Sequence, residues 1–144
     1  MANILVVDRD AGTRDGLQRL LARAGHDVVT TPFGRVALRL DSNTPFELVL
    51  IGRKLPDMDG FRLLRQYVER PLTASVPVIM LLPADTAEDP SMANALGAWD
   101  TLQCPPVAVE VLYKVGRAID ESADNWQEWA EGISEEAETR DDNS

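Results

Sequence analysis

A chain of 144 residues, 44% apolar and 26% charged, has room for one domain with a sizeable core, and its balance is that of an ordinary globular protein. No apolar run approaches the roughly 18 residues of a membrane span. The N-terminus reaches Asp8 without a basic start or a signal-length apolar stretch, and the single Cys104 excludes an internal disulfide, so the chain reads as cytoplasmic. The net charge of −10 is concentrated at one end: residues 1–119 hold 14 acids and 13 Lys or Arg, whereas residues 120–144 hold 10 acids and only Arg140. An acidic tail of this kind repels the polyanions nucleic acid and membrane surface, and neither is expected as a partner.

Taken in order, apolar runs alternate with amphipathic stretches. Ile4–Val7 is a short β-branched run that ends at Asp8, as a buried parallel strand does. Over Gly12–Ala24, Leu17, Leu20, Leu21 and Ala24 recur at helical spacing, and Gly25 is a stop signal. Val28–Thr31 is a second strand, and Phe33, Ala37 and Leu40 outline a helix ending before Asn43-Thr44-Pro45. Phe46–Ile51 is a third strand, followed by the turn-rich Leu55-Pro56-Asp57-Met58-Asp59-Gly60 and a helix marked by Phe61, Leu64, Tyr67 and Val68.

Val76–Leu82, the most hydrophobic run, predicts a central fourth strand. Pro90 cannot lie inside a helix, so the fourth helix starts near it, is short and stops at Gly97. Trp99–Gln103 is a weak fifth strand. Pro106 is placed in the first turn of a last helix marked by Val107, Val111, Leu112, Val115 and Ile119. Five strands alternating with five helices predict an α/β fold, a doubly wound five-stranded parallel sheet. Chemistry in such a sheet collects beyond the carboxyl ends of the strands. Here those ends are Asp8-Arg9-Asp10, Gly52-Arg53-Lys54, Leu82-Pro83 and Cys104-Pro105.

Ile4-Leu5-Val6-Val7-Asp8, with a second acid close by, resembles the opening of the response-regulator receiver domains of two-component signalling. Leu48–Ile51 followed by Leu55–Gly60 is similar to that family's third-strand loop. Val76–Met80 is similar to its fourth strand, and Gly97-Ala98 followed by Cys104-Pro105 to its approach to the fifth. The four matches occur in order over about residues 3–120. The resemblance implies a flavodoxin-like three-layer receiver fold with strand order 2-1-3-4-5, residues 1–120 forming the domain and residues 121–144 an acidic tail. It also implies a cis Cys104-Pro105 bond.

Family chemistry needs a carboxylate on the third strand to accept a phosphoryl group, two carboxylates after the first strand to hold Mg²⁺, a Thr or Ser ending the fourth strand, and a Lys after the fifth. Carried over, the attacking Asp falls at Gly52, the second metal carboxylate at Arg9, the Thr or Ser at Leu82 and the Lys at Cys104; only Asp8 stands. The resemblance therefore implies a degenerate phosphorylation pocket of Asp8, Arg9, Asp10, Gly52, Lys54, Leu82, Cys104 and Pro105, with no catalytic residue, metal or cofactor. Asp8 is expected to pair with Arg9, Arg53 or Lys54, with Arg9 filling the volume of the missing ion; the alternative is that Asp8 and Asp10 hold a weak cation. Asp57 and Asp59 are read as turn residues bonding the local backbone.

The expected function is a phosphorylation-independent interaction module whose partner is a histidine kinase or another regulator. A homodimer through the face of the fourth helix, fifth strand and fifth helix is the second possibility. Trp126, Trp129 and Ile133 stand three and four residues apart in the tail, on a helix that packs back on the domain or offers a groove-binding face; beyond Glu136 the composition is that of a disordered segment. With Trp99 they form the candidate partner-binding set. The alternative, a small-ligand-binding or enzymatic flavodoxin-like domain, wants a glycine-rich phosphate loop or a catalytic pair, and neither is present at the strand ends. A DNA-binding regulator is disfavoured because no segment is left for a helix-turn-helix.

Overall fold

Runs that are apolar at every position suit strands covered on both faces, and such runs form the middle of the sheet. The computed structural model describes residues 2–43, 45–85 and 89–121. It contains β1 (Asn3–Val7), β2 (Asp27–Thr31), β3 (Leu48–Gly52), β4 (Val78–Pro83) and β5 (Asp100–Cys104). All pairings are parallel and the order is β2-β1-β3-β4-β5. Every residue of β3 is buried, whereas the edge strands β2 and β5 expose part of their length.

The helices are α1 (Ala11–Arg23), α2 (Gly34–Asn43), α3 (Gly60–Glu69), α4 (Asp89–Ala95) and a last one, α5, over residues 108–121. Side chains alternate between the two faces of each strand. Ile4, Val6, Leu48, Leu50, Ile79 and Leu81 face Leu17 and Leu21 of α1 and Val111 and Val115 of α5. Leu5, Val7, Val49, Ile51, Met80 and Leu82 face Ala37 of α2, Phe61 and Leu64 of α3 and Ala93 of α4. The result is the expected three-layer flavodoxin-like arrangement, and the Cys104–Pro105 bond is cis.

The differences from the sequence reading lie at element ends. β3 starts at Leu48: Phe46 precedes the ladder as a buried plug, and Glu47 donates its N–H to the Asn3 carbonyl while its Oε1 accepts from the Asn3 N–H. β4 and β5 each begin later than expected and run one residue further, and α2 includes Asn43. Pro90 sits in the first turn of α4, where its missing N–H has no intrahelical partner to lose. Pro106 is not in the first turn of α5: the helix opens at residue 108, with the Val107 carbonyl accepting from the Val111 N–H at 2.9 Å. Trp126, Trp129, Ile133 and the expected helical start of the tail lie outside the described residues.

Candidate functional site at the carboxyl ends of the strands

Period two places three of the site positions on one side of the sheet. Asp8 continues the Ile4–Val6 series, Gly52 the Leu48–Leu50 series, and Cys104 follows Leu102, so all three belong to the face covered by α1 and α5. Asp8 is 9% exposed. Its Oδ1 accepts the Asp10 N–H at 2.8 Å, and its carbonyl accepts from Arg14 Nη1 at 2.7 Å. Its other oxygen points at Gly52: a Cβ built there would lie 2.5 Å from Asp8 Oδ2 and 3.1 Å from Asp8 Cγ. The Asp8 carboxyl thus occupies the space that a side chain at position 52 would enter.

An open cavity of about 580 Å³ lies over this point. Asp8, Arg9, Asp10, Lys54, Cys104 and Pro105 line it, together with Thr13, Arg53, Leu81, Pro83, Ala84 and Asp85. Leu82 does not line it. On the opposite parity from Leu81, it is 2% exposed and packs in the core beneath α3 and α4. Asp10 is the N-cap of α1, its Oδ2 accepting from Thr13 N at 2.9 Å and Thr13 Oγ1 at 2.8 Å. Arg9 and Lys54 are exposed, and neither has an ion pair among the described residues.

The expected pairing of Asp8 with a cation is not found among the described residues. Arg9 is exposed and lines the cavity beside Asp8 without an ion pair, and Arg53 is drawn away to Asp59 and Asp89. Burial raises the Asp8 pKa above its ordinary value, opposed by the Asp10 N–H and by Arg14 and Arg9 at a distance. Burial also pushes the Cys104 thiol up to about 11, with Asp8 and Asp10 adding to the shift. A thiol held protonated near neutral pH is a poor nucleophile, and Cys104 is half-buried.

The loop after β3 closes tightly. Gly60 N–H bonds to the Arg53 carbonyl at 2.9 Å, and a Cβ at Gly60 would strike the Gly52 carbonyl oxygen, so only glycine fits. Asp59 caps α3 through Phe61 N at 2.8 Å. Asp57 does more than local turn work: its oxygens accept from Gly34 N at 2.9 Å and Arg35 N at 3.0 Å, capping α2 from 23 residues away. Trp99 is half-buried against the α1–α5 layer, with its Nε1 donating to Glu121 Oε2 at 3.0 Å. Arg14, Thr13, Asp85 and Asp89 were not singled out from the sequence. Arg53–Asp89 and Asp57–Gly34 are tertiary contacts with no local signal. Leu81 was legible from alternation along β4.

Comparison with known proteins agrees with this geometry. Residues 4–115 match the model of the response regulator receiver domain. The sensory transduction protein RegX3 of Mycobacterium tuberculosis is 28% identical over 140 residues, covering 97% of this chain and 60% of that protein. The chain therefore spans little more than half the length of that relative. Protein PilH of Pseudomonas aeruginosa is 30% identical over 119 residues, covering 83% of this chain and 98% of PilH. Among solved structures, a CheY-like receiver domain protein from Methanospirillum hungatei superposes with a TM-score of 0.79 at 26% identity, covering 87% of this chain and 98% of that one. With a five-stranded 2-1-3-4-5 sheet, helices on both faces and a family match over most of its length, the chain belongs to the response regulator receiver domain family.

Proposed function

We propose that this receiver works without accepting a phosphoryl group, as a cytoplasmic protein–protein interaction module of a two-component pathway and not as an enzyme. One observation carries the reading. The third strand ends in Gly52, and the space its side chain would need is filled by the Asp8 carboxyl, 2.5 Å from a built Cβ. No attacking carboxylate is present at that position, and one placed there would have to displace the Asp8 carboxyl.

The donor set does not fit the Mg²⁺ that the family's chemistry uses. Asp8 spends one oxygen on the Asp10 N–H, Asp10 spends one on capping α1, and the residue between them is Arg9, a fixed positive charge. Among the described residues no group of three or more His, Cys, Asp or Glu is placed to hold a metal ion.

The partner is a histidine kinase or another regulator of the pathway, the class of protein to which a receiver surface is fitted. The side of the domain formed by α4, β5 and α5 supports this: Met92, Val109 and Tyr113 are 51%, 77% and 62% exposed there. A second copy of the chain is the other candidate for that face. Metal response tests the site. Millimolar Mg²⁺ should leave the thermal midpoint where a matched-ionic-strength control puts it; a specific rise abolished by Asp8→Ala would contradict the reading.

A further inference from the structure

Arg53 follows Gly52 at the end of β3, and its side chain makes three contacts at once. Nη1 lies 2.7 and 2.6 Å from the two carboxylate oxygens of Asp59, and Nε donates to Asp89 Oδ2 at 3.2 Å. The guanidinium carbon stands 4.0 Å from the centre of the Phe61 ring. The Arg53 and Asp89 side chains are 22% and 15% exposed, so this pair is well shielded from water. Asp59 and Phe61 belong to the start of α3, and Asp89 is the first residue of α4. One guanidinium thus ties the start of α3 to the start of α4.

Among the described residues α4 itself buries little. It is seven residues long, and Ala93 is its one buried side chain. A helix that short has no stability of its own, so its place is set by packing and by whatever fastens its ends. A shielded, hydrogen-bonded guanidinium–carboxylate contact is a stronger fastener than an exposed ion pair, because water and salt screen it less. At the end of β4, the position the family resemblance assigns to a hydroxyl that senses phosphoryl oxygens, Leu82 offers only a buried apolar side chain.

We propose that Arg53 is a permanent latch on α4. It fixes the start of the helix against the β3–α3 loop and keeps the α4 side of the domain in one arrangement with no phosphoryl group present. The proposal rests on the reading of the chain as phosphorylation-independent and adds the residue that sets its fixed state.

Hydrogen exchange on the full chain tests it. The informative amides are those of residues 93–96, where the Leu96 N–H bonds to the Met92 carbonyl at 3.0 Å. Arg53→Met and Asp89→Asn should each speed their exchange about tenfold, equivalent to ~1.4 kcal/mol of local opening. The amides of β1 and β3 should keep their parent rates. The double variant should exchange no faster than Arg53→Met alone, since both changes break one contact. Arg53→Lys should not restore protection, because an ammonium cannot span two carboxylates and a ring as the planar fork does. Parent-rate exchange at residues 93–96 in Asp89→Asn, or effects that add in the double variant, would overturn the latch. Mass measurement after treatment with a small phosphodonor separates the two claims. If the latch fails and the parent still takes up no phosphoryl group, the proposed function stands; an adduct on the parent removes that function whatever the exchange shows.

Discussion

The interior of the sheet and the rim at its carboxyl ends are built from the same five strands and answer to different demands. In the interior, the residues of β1, β3 and β4 alternate between two apolar layers, and any change of volume is felt by close-packed neighbours. At the rim the side chains are polar and partly wet, and here many of the polar contacts are internal. Asp8 bonds the Asp10 backbone, Asp10 and Asp59 cap the helices that follow them, Asp57 caps α2, and Arg53 joins two loops. The scaffold keeps the family's shape while the rim spends its charges on holding itself together. Packing keeps the family's fold, and any chemistry depends on the residues at the rim.

The largest expected effect belongs to the interior. Ile79 is fully buried between α1 and α5, so Ile79→Ala should lower the unfolding free energy by about 2–5 kcal/mol, from lost transfer energy and the cavity left behind. Denaturant titration measures it, and a loss below about 1 kcal/mol would place the side chain outside a packed core.

At the rim, Gly52→Asp should be destabilising by about 1–3 kcal/mol, because the new side chain enters space held by Asp8 and sets two carboxylates together. Adding Asp8→Ala should recover much of that loss. Purely additive effects would mean that the two positions do not compete for one space.

A smaller effect is carried by pH. The Asp8 pKa is raised in the folded state, so the protonated form is favoured there: its stabilising contribution is present below the ordinary carboxyl value of 3.8 and lost as pH rises through the folded value. Asp8→Asn keeps an acceptor for the Asp10 N–H without the buried charge. The variant should be more stable than the parent at pH 7, with the gap closing as pH falls toward 3.8. A gap that widens on acidification would reverse the assigned sign.

How much of this was legible in the sequence follows the same division. Ile4–Val7, Leu48–Ile51 and Val78–Leu82 are apolar on both faces, and no helix or loop fits runs so short and so continuous; the strand order came with the family resemblance. Element ends were less legible, because hydrogen-bond register decides them: Phe46 is as apolar as its neighbours yet stands outside the ladder. Which residues occupy the rim was largely readable, since strand ends converge there. How they pair was not. Charges near Asp8 in sequence suggested an ion pair, but side-chain direction sends Arg53 to Asp59 and Asp89 and leaves Asp8 to a backbone amide. Leu82 resembled a site residue by position, and its parity turns it into the core.

The most direct test of the central claim is the intact mass of the purified full chain after incubation with a small phosphodonor and Mg²⁺. With Gly52 at the end of β3 and Asp8 filling the space beside it, the mass should be unchanged. A stoichiometric, acid-labile phosphoryl adduct would contradict the account, wherever on the rim it formed.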